Sequence, residues 1–117
     1  MFDRMKIPPH AEEQLLALLK SEKYVKEPQH FYPGIMDEQV RPQVSRCVDD
    51  AVHDFLTIVK SGKGSKKAYR DAIRDGLARF EGTYLDTEDR ERTARYFEQM
   101  MDAVGLDSSG GLLNAFV

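Results

Sequence analysis

The chain has 117 residues, a single cysteine and a formal net charge of −3, which suits one domain spanning residues 1–117 and excludes an internal disulfide. Hydrophobic residues make up 41% and charged residues 32%, enough apolar side chain for a core and too little charge for a disordered polymer. The acidic balance argues against a dedicated nucleic-acid binder, and there is no apolar run long enough to cross a bilayer. Met1 to Lys6 lacks the apolar run of a secretory signal, so the expected location is the cytoplasm.

Ile7-Pro8-Pro9-His10 leads into Ala11 to Lys20, where proline at the entry and Glu12 and Glu13 in the first turn start a helix of about three turns. Leu15, Leu16, Leu18 and Leu19 are too wide a set for a single surface stripe and predict cover on more than one side. From Glu22 to Asp37 the periodicity stops. Pro28, Pro33 and Gly34 forbid a continuous helix, and links of this length either bind something or pack as covering loops. Tyr24, Phe31 and Tyr32 are expected either to lie over the helix ends or to form a recognition surface with His30.

Asp37 to Lys60 reads as a long second helix. Either Asp37 caps it and it kinks near Pro42, or the regular helix begins at Pro42. Val44, Cys47, Val48, Ala51, Val52, Phe55, Leu56 and Val59 then form the strongest core stripe of the chain, so this helix is central and Cys47 reads as a small buried hydrophobe. Ser61 to Gly64 ends it. Ser65 caps a third helix running to Phe80, and Gly76 on its apolar side predicts close approach of another backbone.

After Gly82 and the crossing Thr83-Tyr84-Leu85, the fourth helix carries its own punctuation. Asp86 or Thr87 supplies the N-cap, and Gly105 closes the last turn with Leu106 folding back over it. Thr93, Tyr96, Phe97, Met100, Met101 and Val104 form its buried face. The tail from Leu112 to Val117 is apolar and is expected to dock on the bundle or on a partner. The fold class is therefore all-α: a compact four-helix bundle with a long loop between the first two helices and a docked tail.

The run Leu85-Asp86-Thr87-Glu88-Asp89-Arg90-Glu91-Arg92, with Tyr96-Phe97-Glu98, Met101-Asp102, Gly105-Leu106 and Ser108-Ser109-Gly110-Gly111-Leu112-Leu113-Asn114, resembles a family of short bacterial proteins classed as a domain of unknown function. The resemblance covers Leu85 to Asn114. It implies an all-helical bacterial protein and carries over no catalytic residue.

Three side-chain constellations bear on function. Asp49, Asp50, His53 and Asp54 share helix faces at three- and four-residue steps, but no second His or Cys group completes a metal site, so a solvated face is expected and no metal or cofactor is assigned. Lys63, Lys66, Lys67 and Arg70 gather at the Gly-rich turn into the third helix and offer an anion-binding alternative, a nucleotide- or RNA-binding edge. The run lacks P-loop spacing, and Asp71 and Asp75 dilute its charge. Asp86, Glu88, Asp89 and Glu91 make the start of the fourth helix acidic, with intrahelical pairs expected from Glu88 to Arg92 and Glu91 to Arg95.

No nucleophile elbow is present and Cys47 has no partner that spacing can name, so no enzyme activity is expected. The expected function is protein binding, in its most concrete form an immunity or antitoxin-like inhibitor. Its contact residues are Tyr24, His30, Phe31 and Tyr32 from the loop with Asp86, Glu88, Asp89 and Glu91 from the fourth helix, and the acidic residues would meet a basic partner.

Overall fold

The structure, a computed structural model, describes residues 4–117; Met1 to Asp3 of the leading stretch lie outside it. Four long helices, α1 Ala11–Lys20, α2 Arg41–Ser61, α3 Lys66–Ala78 and α4 Thr87–Val104, are followed by a short α5, Leu112–Phe116. One-turn 3-10 helices occur at Pro28–His30 and Glu38–Val40. None of the helices among the described residues is long and apolar enough to cross a membrane.

The long stripe puts α2 at the centre, where it packs on α1, α3 and α4. Val44, Val48, Ala51, Val52 and Phe55 are fully buried, and each of the larger ones stabilises the fold by roughly 1.5–3 kcal/mol relative to exposure. Pro42 causes no kink. The Asp37 side chain caps the 3-10 turn by accepting the Gln39 N–H at 3.0 Å, and α2 begins at Arg41 with the proline in its first turn, where a missing N–H leaves no bond broken.

Helix α3 starts where Ser65 accepts the Ala68 N–H at 3.0 Å, and it ends at Ala78, two residues short of the expected Phe80. Gly76 is buried as the pattern requires, but the close neighbours are side chains rather than a backbone. A Cβ there would lie 2.9 Å from the Phe97 ring and 3.2 Å from the Ala51 Cβ, so any larger residue must displace an aromatic of α4.

The tail docks on its own chain, with α5 packed against α3 and α4. Phe116 meets Phe80 edge-on at 5.9 Å, its ring lies 4.5 Å from the Arg90 guanidinium, and its carbonyl accepts the Arg90 Nε–H at 3.0 Å. Cys47 is buried, where desolvation pushes its thiol up from its ordinary pKa and its S–H faces the Arg79 carbonyl at 3.6 Å.

Candidate functional site

The loop from Lys23 to Met36 is a folded clip. Tyr24 and Ile35 are joined by an Ile35 N–H to carbonyl bond of 3.1 Å, and inside that pair Glu27 and Tyr32 exchange two backbone bonds of 2.9 and 3.1 Å. The residues left at the tip, Pro28 to Phe31, make one 3-10 turn closed by Phe31 in the left-handed region at φ +55°. Such a φ is uncommon for a bulky residue and persists where the surroundings over-determine it.

Those surroundings are four attachments to one face of α4. The Tyr24 N–H donates to the Tyr96 hydroxyl at 2.6 Å, and the Tyr24 hydroxyl lies 2.6 Å from Thr93 Oγ1. Thr93 donates its own proton to the Asp89 carbonyl at 2.8 Å, so Tyr24 is the donor in that pair. The Glu27 carboxylate takes both Nε and Nη2 of Arg92, whose guanidinium also lies 4.1 Å from the Tyr96 ring centre. Finally, the Asp89 carboxylate accepts the Tyr32 hydroxyl at 2.8 Å and the Met36 N–H at 3.2 Å.

This corrects three of the expected contact residues. Tyr24, Tyr32 and Asp89 are 0%, 3% and 1% exposed, so their side chains anchor the loop and present almost nothing to a partner. Asp86 is occupied as the N-cap of α4, accepting the Asp89 N–H at 2.8 Å. Arg92 turns inward to Glu27 instead of pairing with Glu88 along the helix.

The remaining expected residues converge. Phe31, His30 and the edge of Tyr32 from the clip, with Glu88, Glu91 and Arg95 from α4, line one hollow of about 280 Å³. Phe31 is 93% exposed. An aromatic standing free on a turn whose backbone is tied down, beside two exposed carboxylates, is suited to surface recognition, since only the two torsions of its ring are left to order on binding. Arg95, expected only as an intrahelical partner of Glu91, is the further residue of this hollow. Its spacing of four from Glu91 places it on the shared face, and it stays exposed beside the loop tip.

The basic edge does not gather in the same way. Lys67 pairs with Asp71 at 2.6 Å while staying 85% exposed, Arg70 Nε donates to the Ser108 carbonyl at 3.1 Å, and Lys63 and Lys66 are exposed at the turn. In the α2 cluster Asp49 lies 2.8 Å from Lys23 and Asp54 2.8 Å from Arg79. Among the described residues no group of three or more potential ligands is placed to hold a metal.

Asp89 makes the site's anchorage sensitive to pH. Burial pushes its carboxyl above the ordinary 3.8, a cause that outweighs the Tyr32 and Met36 hydrogen bonds pulling it down. The folded state therefore holds this proton to higher pH than the unfolded chain does. The group's contribution to stability is greatest below pH 3.8 and falls as pH rises through the folded value. Carbon-13 NMR titration is expected to place the Asp89 midpoint above the ordinary 3.8; a midpoint at or below that value would contradict the burial argument.

A family model described as a domain of unknown function, DUF4844, matches residues 6–117. The fold is also similar to the crystal structure of a DUF3571 family protein from Acinetobacter baumannii AYE, at 29% identity and a TM-score of 0.83, covering 92% of this chain and 87% of that one. No curated protein matches the chain.

Proposed function

The chain belongs to the DUF4844 family, a domain of unknown function, so its own surface carries the reading: we propose that it is a non-enzymatic protein-binding domain. In its most concrete form it is an immunity or antitoxin-like inhibitor acting on a basic protein partner in the cytoplasm. The observation that carries this reading is Phe31, 93% exposed on a turn fixed from below by four attachments to α4. Large aromatics of this kind act as interface anchors, and they dominate binding when neighbouring polar contacts exclude water. Glu88 and Glu91 beside it add an acidic rim that speeds encounter with a basic surface and rejects an acidic one.

The test is affinity capture of the tagged chain from lysate of its native host, with mass spectrometry after a moderate-salt wash. The expected result is a stoichiometric protein with a basic contact domain. Recovery of RNA alone, or of no protein, would overturn the reading and turn attention to Lys63 and Lys66.

A further inference from the structure

We propose that the binding surface continues past the loop tip into the groove between α4 and the C-terminal segment, and that this groove takes a basic peptide segment of a protein partner carrying one apolar anchor. The inference rests on the protein-binding reading and names the chemistry of the partner.

The groove has a volume of about 420 Å³ and shares Glu91 and Arg95 with the hollow under Phe31, so the two form one continuous surface. Along α4, Glu88, Glu91, Arg95 and Glu98 follow one another at steps of three, four and three residues and therefore share a face. At 1.5 Å per residue that face is about 15 Å long from Glu88 to Glu98, matched by a helical segment of about three turns. Asp107 adds a fourth acid from the opposite wall.

Across the hollow and the groove, four carboxylates face Arg95, with Arg70 held behind the far wall at the Ser108 carbonyl, so the surface is negative on balance. It repels phosphate and so disfavours nucleic acid, while it attracts lysine and arginine side chains. Arg95, in the middle of the row, fixes register by accepting only a partner segment with an acid or a gap opposite it. Between the acidic walls the floor is apolar, made by Ala94, Met101 and Leu113, and Val117 at the rim is 52% exposed. That floor seats one aliphatic side chain and distinguishes a peptide from a bare polycation.

The far wall is fixed. Arg70 holds the Ser108 carbonyl at 3.1 Å, Ser108 Oγ accepts the Gly110 N–H at 3.1 Å, and Ser109 Oγ accepts the Leu113 N–H at 3.3 Å. A groove whose wall is tied down by a neighbouring helix is ready for a ligand without rearrangement.

The probe is a fluorescein-labelled three-turn helical peptide with arginines on one face and a central leucine, titrated into the full chain by anisotropy. It is expected to bind with an affinity that falls as salt rises. The double variant Glu91→Lys and Glu98→Lys, both at exposed positions, is expected to weaken it roughly tenfold or more while circular dichroism stays unchanged. Replacing the peptide's leucine by serine is expected to weaken it as well.

Unchanged affinity in the double variant, equal binding of the serine peptide, full competition by spermine, or no binding at all would each overturn the proposal. The two readings fail separately. If a captured partner depends on Phe31 but ignores Glu91→Lys with Glu98→Lys, the groove inference falls and the protein-binding reading stands.

Discussion

Replacing Arg92 by alanine is expected to lower stability by about 3 kcal/mol, the lower end for removing one partner of a buried ion pair. The side chains of Arg92 and Glu27 are only 10% and 18% exposed. The change leaves a carboxylate facing the interior with neither of its two nitrogen donors, and it strips the guanidinium from the face of Tyr96. Alanine is the best helix former, so α4 itself is not weakened, and the loss reports the attachment of the clip. Urea unfolding followed by circular dichroism measures it. A cost below about 0.5 kcal/mol would mean that the pair behaves like an exposed one and that the clip is held by its tyrosines.

Tyr24→Ala is expected to cost more, about 3–5 kcal/mol, in the range for deleting a large buried aromatic. Tyr24 has no exposed surface, its ring meets Tyr96 edge-on at 5.2 Å, and its hydroxyl closes the relay through Thr93 to the Asp89 carbonyl. Alanine would leave a cavity between the clip and α4 and an unpartnered Thr93 lone pair, at a backbone position with φ +64° that no longer has a ring to hold it. Thermal unfolding is expected to drop by ten degrees or more. Tyr24→Phe separates the relay from the packing and should recover most of the loss, since a buried hydrogen bond contributes only about 1 kcal/mol net. If Tyr24→Ala left the melting temperature within a degree or two of the parent, the core role of Tyr24 would be wrong.

The contrast between Tyr24 and Phe31 shows where reading a sequence reaches its limit. Both are aromatics in the same stretch of broken periodicity, seven residues apart, yet one is 0% and the other 93% exposed. Helix α2 was legible because eight apolar residues repeat at helical steps, and α4 because Asp86 and Gly105 mark its ends at single positions. The loop has no period. Its path is decided by long-range partners, Tyr96, Thr93, Arg92 and Asp89, that lie between 53 and 72 residues away in the chain.

The same cause explains Arg92 and Asp89. On a bare helix each has a polar neighbour at three or four residues, and local spacing assigns it to an exposed face. Both instead lie on the side that receives the clip, where Glu27, Tyr32 and Met36 occupy them. Glu88, Glu91, His30 and Phe31 kept their expected surface position because nothing on the clip or the tail covers them, and they come together in one hollow. The groove beside the tail was not legible at all, since it depends on where α5 lands against α3 and α4.

The central claim is that Phe31 is an interface anchor on a rigid mount, and the most direct measurement is the affinity of the captured partner for the Phe31→Ala variant, taken beside its melting temperature. The account predicts a loss of at least about 2 kcal/mol in binding, roughly thirtyfold, with the melting temperature unchanged because the deleted ring is exposed. Unchanged affinity, or a fall in affinity that merely follows a fall in melting temperature, would contradict it.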